Sequence, residues 1–323
     1  MDDMDLNPVT IPDGDLDLLA IGETLIDFIS VETAGSLLEA TTFRRYLGGS
    51  PANIAVYVAK LGGRAAVISK TGIGAFGQFL KGELRHYGVN TDYLIMDHRT
   101  HTSVIFVSRT SGTPDFEAFR SGDYQLTPAE VSEQAIARAK VVHASTFALS
   151  REPCRSAVGK ALQFAHEMGK IVSFDPNYSP RIWPDYEEAK QVIREMYLHA
   201  TISKPSQDDA QRLFGPGYKP EQYIQMFHEM GPRLVIFTMG KDGVLISHDG
   251  KLVNHIPARP VKVVDATGAG DSFWAGFLMG LLDGNSLERC TLFAREIVEL
   301  KLTTIGPLPS TIDRKEIYAR LPE

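Results

Sequence analysis

Two cysteines in 323 residues, Cys154 and Cys290, are too few and too far apart for a zinc cluster or a disulfide framework, so two buried thiols in a reducing compartment are expected. A basic excess is missing as well. The 33 Lys and Arg stand against 40 Asp and Glu, a formal net charge of −7, which argues against a nucleic-acid surface but leaves room for a local basic cleft around a nucleotide. No apolar run reaches the roughly eighteen residues of a membrane helix; Phe273 to Leu282 is about half that and reads as a buried helix. The chain start lacks the apolar core of a signal peptide. Met1 to Asp17 instead carries six aspartates, which predicts a solvated acidic tail over 1–16, a single domain over 17–323 and a cytoplasmic protein without membrane or nucleic-acid partners. Internal repeats and low-complexity tracts are absent too.

What the chain does have is an alternating rhythm. Short β-like runs at Leu18 to Phe28, Ala65 to Lys70, Val141 to Ala144, Ile171 to Asp175, Thr201 to Ser203 and Leu234 to Met239 are separated by stretches with helical spacing of apolar residues. Those stretches are Pro51 to Leu61, Phe76 to Tyr87, Arg155 to Met168, Glu187 to His199 and Glu221 to Met230. The pattern predicts an α/β fold, a doubly wound, mostly parallel sheet flanked by helices. Two regions depart from it: Thr41 to Leu47, and Thr102 to Arg109 with Asp115 to Arg120, are extended and rich in β-branched or aromatic residues. They predict a small β-sheet lid, built from segments near 23–47 and 101–120, and an exposed edge or face there predicts pairing with a second copy.

Two junctions carry chemistry. Asp265-Ala266-Thr267-Gly268-Ala269-Gly270-Asp271 turns tightly into the apolar helix, so backbone N–H groups and the helix dipole can hold an anion beside the carboxylate of Asp271. A plain helix-capping acid is the alternative. Gly48-Gly49-Ser50-Pro51-Ala52-Asn53 likewise joins extended chain to helix, with Gly49 open to close approach and the Asn53 amide able to donate to and accept from sugar hydroxyls. Asp27 lies within the apolar run Leu25-Ile26-Asp27-Phe28, where a carboxylate needs partners, either a sugar diol or a neighbouring amide.

Together these two junctions resemble the signatures of the ribokinase-like (PfkB) carbohydrate kinase family, and Glu152 to Ala157, Asp175-Pro176-Asn177 and Trp183-Pro184 resemble the matching stretches of fructokinases. The resemblance runs from about Asp17 to the end. It implies a ribokinase-like sheet with a β lid and transfer of the ATP γ-phosphoryl group to a sugar primary hydroxyl, with fructose or a similar ketose as acceptor. Asp271 would then accept the hydroxyl proton, and the amides of Ala269, Gly270 and Asp271, with Gly268 shaping the turn, would form the anion hole. The dipole at this helix start would favour its ionised form. Asp27, Gly48, Gly49, Asn53, Arg120 and Asn177 would hold the sugar, and Lys204, Ser206, Thr238, Gly240, Gly243 and Arg295 the ATP.

Asp209 would help organise hydrated Mg²⁺, although the family's glutamate is here a shorter aspartate, and Asp265, Thr267 and Gly306 match positions that bind a monovalent cation such as K⁺. Ser179 stands where many relatives have an arginine, which argues for a neutral sugar; kinases for 2-keto-3-deoxygluconate or 5-dehydro-2-deoxygluconate are the alternatives within the class. Outside it, Gly72-Ile73-Gly74-Ala75-Phe76-Gly77 fits a dinucleotide fingerprint, with Asp92 or Asp97 as ribose partner, and a non-catalytic sugar or nucleotide sensor is a further reading.

Overall fold

The computed structural model describes residues 9–110, 115–264, 266–304, 308 and 312–322. Its strands are β1 (Leu16–Ile21), β2 (Leu25–Thr33), β3 (Phe43–Gly48), β4 (Ala65–Gly72), β5 (Leu94–Asp97), β6 (Val104–Arg109), β7 (Phe116–Phe119), β8 (Ala139–Ser145), β9 (Ile171–Asp175), β10 (Ile202–Ser203), β11 (Leu234–Thr238), β12 (Val244–His248) and β13 (Lys251–Ile256). Nine of them form the main sheet in the order β13-β12-β11-β10-β9-β8-β1-β4-β5. Pairing is parallel from β11 to β5, and β12 and β13 add an antiparallel edge. Helices cover both faces, as apolar strands buried on both sides require, and leave one core cluster on each.

Strand order reverses between β1 and β8. From β1 the chain steps outward to β4 and β5, and from β8 it steps the other way to β11, so a crevice opens beyond the C-terminal ends at that point. Beyond those ends lie Glu23 after β1, Thr146 after β8, Pro176 and Asn177 after β9 and Lys204 after β10.

The run read as one strand from Leu18 to Phe28 is two. It breaks at Gly22-Glu23-Thr24, and β2 leaves the main sheet to pair with β3 and β6 in a four-stranded lid of order β3-β2-β6-β7. Asp27 therefore sits in the lid, in register with Tyr46 and Ile105. Residues 111–114 of the turn between β6 and β7 lie outside the described residues. The segment expected to be a solvated tail is docked from Val9 onward: Val9 and Ile11 pack against the core, and Lys170 donates to the Asp13 carbonyl at 2.8 Å. No described helix is long and apolar enough to cross a membrane, and helix Ala269–Leu282 is a core element buried at every position from Ser272 to Leu281.

Candidate active site

The helix Ala269–Leu282 starts from Gly268, whose φ of 70° is left-handed, and a Cβ there would fall 3.1 Å from the Tyr57 hydroxyl. Glycine suits both the backbone and the space. The Ala269 N–H donates to the Ala266 carbonyl at 3.1 Å, so of the three amides expected in the anion hole only those of Gly270 and Asp271 have no acceptor among the described residues. Ala269 and Gly270 line one cavity of about 450 Å³. Asp271, the next residue, lines another of about 460 Å³. Successive helical residues point about 100° apart, so this helix start is a partition with one chamber on either side.

The second chamber lies under the lid. Gly49 caps helix Ser50–Lys60 with φ 98°, and a Cβ there would lie 2.5 Å from the Glu23 carbonyl. The turn it permits brings Ser50 and Asn53 to Asp271: Ser50 Oγ donates to Oδ1 at 2.8 Å and Asn53 Nδ2 to Oδ2 at 3.0 Å. Gly48 leaves room for Asp27, since a Cβ at Gly48 would meet the Asp27 carboxylate at 2.3 Å. That carboxylate has no hydrogen-bond donor among the described residues and faces the chamber, so the neighbouring amide considered from sequence is not its partner. Ile105, Val107 and Phe116 of the lid supply the apolar roof, and Asn177 and Ser179 line the side.

Charge is concentrated at the partition. Burial raises the Asp271 pKa, and the bonds from Asn53 and Ser50 and the nearby Lys204 only partly offset this, so the ionised form is less favoured than the helix dipole alone implies. Burial and the neighbouring Asp271 push Asp27 up to about 7. Lys204 is buried and ion-paired with Asp175 at 2.8 Å. Burial works against its charge, but Asp175, Asp209 and Asp271 outweigh it and keep the ammonium protonated. Its Nζ lies 3.4 Å from where a Cβ on Gly270 would be, which puts a fixed cation beside the two open amides.

The first chamber takes in Ser206, Thr238, Gly240, Gly243 and Arg295 from the ATP-side expectations. Arg295 is bound to the Pro257 carbonyl at 3.2 Å, and the neighbouring Arg259 is clamped by Glu296 and Glu299. Ser206 caps helix Gln207–Phe214 in a reciprocal box with Asp209. Asp209 is thereby committed: it accepts from Ser206 N at 3.0 Å, from Ser206 Oγ at 2.5 Å and from Tyr178 N at 2.8 Å, and it lines neither chamber. Thr267 lies beside the helix start, whereas Asp265 and Gly306 fall outside the described residues.

Arg120 is placed differently from the expectation that it closes over the sugar. It stands behind the chamber wall, where its guanidinium pairs with Asp123 and binds Ser150 Oγ and the Phe147 carbonyl, and it lines neither chamber. The arginine that does reach the lid is Arg181, which bonds Asp115 Oδ1 at 2.5 Å and the Phe116 carbonyl at 3.1 Å and lies over the Phe116 ring. Asp115 in turn accepts from Leu37 N at 3.0 Å, so this contact ties the core loop to two parts of the lid. Residues 72–77 line neither chamber. Their glycines serve strand–helix packing, with a Cβ at Gly77 only 1.7 Å from the Gly72 carbonyl.

Comparison with known proteins gives this geometry its family. The description "pfkB family carbohydrate kinase" matches residues 15–313. The chain belongs to the pfkB carbohydrate kinases. It is 34% identical over 314 residues to an ATP-dependent 6-phosphofructokinase of Thermoanaerobacterium thermosaccharolyticum, covering 96% of each chain. It is 36% identical over 273 residues to fructokinase-2 of Solanum habrochaites, covering 84% of this chain and 83% of the other. The solved fructokinase of Halothermothrix orenii superposes with a TM-score of 0.78 at 38% identity, over 91% of this chain and all of that one. This pfkB kinase is thus an ATP-dependent sugar kinase of fructokinase-like type.

Several residues of the kinase's site were not read from sequence. Glu23 is buried at the back of the chamber, accepting from Ser50 N at 3.2 Å and Ser145 Oγ at 3.4 Å, with Oε2 unpartnered. Burial pushes it up to about 8. Its signal was an acid just past an apolar strand at the point where strand order reverses. Ser50 and Thr146 also contribute to the chamber, but an isolated hydroxyl carries no readable pattern.

Proposed function

We propose that the kinase transfers the γ-phosphoryl group of ATP to a primary hydroxyl of a neutral ketose, with fructose as the first candidate. The observation that carries this reading is the partition: Gly270 faces one chamber and Asp271 the other, so a nucleotide and a sugar can meet across one helix start. Asp271 takes the hydroxyl proton as the sugar oxygen bonds to phosphorus, and ADP leaves with the electrons of the broken P–O bond. The amides of Gly270 and Asp271, together with Lys204, hold the charge on the transferring group, with Gly268 setting the turn. Asp27 accepts from sugar hydroxyls, Gly48 and Gly49 let sugar and carboxylate come close, and Asn53 shares its amide between Asp271 and the sugar. Asn177 borders the same chamber. Ser206, Thr238, Gly240, Gly243 and Arg295 surround the nucleotide.

Mg²⁺, when bound with the nucleotide, would neutralise phosphate charge. Among the described residues there is no group of three or more His, Cys, Asp or Glu arranged to hold a metal, which fits an ion arriving on the nucleotide with its own waters. Asp208 lines the nucleotide chamber, and Asp209 acts one step removed by fixing the Ser206 cap. A K⁺ site using Asp265, Thr267 and Gly306 rests on the family resemblance, and comparing rates in K⁺ and Na⁺ tests it.

The neutral-sugar reading is supported by the engagement of Arg181 with the lid and by the apolar roof. The 6-phosphofructokinase relative favours a second reading, in which the acceptor already bears a phosphate and meets Arg181 and Arg212 at the rim. Pairing of two lids into a dimer is supported by the aromatic outer face, where Phe28 stacks on Phe106 at 5.0 Å and Phe119 is 54% exposed. A cytoplasmic setting is supported by two free, buried thiols. The test is ADP release with ATP and Mg²⁺ over fructose, fructose 6-phosphate, ribose, both keto-deoxy acids and nucleosides. Turnover of fructose above all others is expected, and turnover of acid sugars alone would overturn the proposal.

A further inference from the structure

A third cavity, of about 640 Å³, is larger than either chamber and has no role in the transfer. It lies between the edge strand β3 and the helices Ser50–Lys60 and Ala75–His86, and it backs onto the catalytic turn through Asp27, Asn53 and Gly268. Arg44, Arg45 and Arg109 line it, and none of the three has an ion-pair partner among the described residues. Arg99, Arg120, Arg138, Arg181, Arg233 and Arg259, by contrast, all sit on carboxylates.

The sheet register explains the convergence. Arg44 is opposite Ile29, which is also paired with Val107, and Arg109 follows Val107 by two residues, so alternation puts both guanidinium groups on the same face of the lid as Asp27. Arg45 points the other way around the strand edge and lies 3.8 Å over the Phe79 ring. Against these three cations, the described residues lining the cavity offer the carboxylates of Asp27 and Glu83 alone. Tyr46, Phe79 and Tyr87 supply flat apolar surface between the charges. Arg44 and Arg109 thus share one face with no carboxylate paired to either among the described residues, and the guanidinium fork matches a phosphate in shape and charge.

We infer that this cavity is a second ligand site, for a small molecule carrying a phosphate monoester. Arg44 and Arg109 take the phosphate, and the aromatic wall takes the rest of the molecule. The site shares Asp27 with the sugar chamber and reaches Asn53, which holds Asp271. Its occupation therefore draws Asp27 toward the second site without excluding the sugar, and raises the sugar KM.

The test uses the full-length chain with a non-hydrolysable ATP analogue and sugar at saturation, so that both chambers are filled before the probe is added. Inorganic phosphate, a hexose phosphate and AMP are then titrated separately by calorimetry, the three arms showing whether phosphate alone, a sugar or a base is recognised. At least one probe is expected to bind at one equivalent, with affinity lowered about tenfold or more in Arg44→Ala/Arg109→Ala and weakened by added salt. Without the probe, kcat is expected to match the wild type, and with it the wild-type sugar KM to rise. Arg44→Gln alone keeps the test if the double variant misfolds. Equal binding by wild type and variant, or no binding of any probe to the filled enzyme, overturns the assignment. So does a dimer whose assembly closes the cavity to all three probes. Direct binding is read whatever sugar the kinase uses, so failure here is distinct from failure of the sugar assignment.

Discussion

Replacing Asp271 by asparagine removes the proposed proton acceptor and little else. The side chains have the same shape, and each existing contact has a substitute: the Ser50 hydroxyl can turn to accept where it now donates at 2.8 Å, and the Asn53 amide can donate to the new carbonyl as it now does at 3.0 Å. Burial already disfavours the charge at this position, so its loss relieves a cost and the variant should melt no lower than the wild type. Chemistry should suffer instead. Loss of a positioned general base lowers kcat by about 10²- to 10⁴-fold, roughly 3–5 kcal/mol in the barrier. The assay is coupled ADP release for kcat, with calorimetry for sugar and ATP-analogue binding, which should stay within about threefold of wild type because Asp27, Lys204 and both chambers are untouched. The wild-type acid limb of kcat/KM should lie above the ordinary aspartate range, since the ionised form is needed and the pKa is raised. A kcat within tenfold of wild type would refute the role assigned to this carboxylate, whatever the melting curve shows.

Glu23→Gln should stabilise the kinase. A buried carboxylate raised to about 8 makes the native state hold its proton longer than the unfolded chain, so stability falls as pH rises from about 4 to about 8, the reverse of a salt-bridged acid. Urea melts at pH 5, 6.5 and 8 should show an advantage for the variant that grows across that window, reaching up to about 3 kcal/mol near neutrality; an advantage that shrinks with pH would contradict this. In Gly48→Ala the new Cβ displaces the Asp27 carboxylate, raising the sugar KM about tenfold or more with the ATP KM unchanged, and initial rates against both substrates separate the two. Arg181→Ala opens the tie between core loop and lid. Being an exposed pair it should cost under about 1 kcal/mol in stability, but ATP hydrolysis per sugar phosphorylated should rise as water enters, and an unchanged ratio would sink the idea of a closing contact.

The alternation of Val-, Ile- and Leu-rich runs with amphipathic stretches was enough to predict the main sheet, because strands buried on both faces leave a strong mark. β9 was placed to the residue, and the five helices listed by spacing were all placed to within a few residues of their ends. The hairpin of β12 and β13 was not read, since His248, Lys251, Asn254 and His255 interrupt its apolar pattern. Glycine turns made the partition legible, because Gly49 and Gly268 occupy conformations that other residues rarely adopt. Pairing was not legible. Nothing local to Arg120 foretells that Ser150 and the Phe147 carbonyl absorb its guanidinium, or that Asp115 and Phe116 engage Arg181, because those contacts join segments far apart in the chain. Burial was equally hidden: the helix start suggested an easily ionised Asp271, and only the packed chamber reverses that preference.

The partition also divides what can change in this enzyme from what cannot. A single residue inserted between Gly268 and Asp271 would turn the carboxylate by about 100°, away from the sugar and out of reach of Ser50 and Asn53. The lid strands that roof the sugar are free of that constraint. Ile105, Val107 and Phe116 can be exchanged without moving the base, the anion hole or the nucleotide chamber. Acceptor preference can therefore drift through β6 and β7 while the transfer machinery stays fixed, so sibling enzymes can differ in their sugar yet share one helix start.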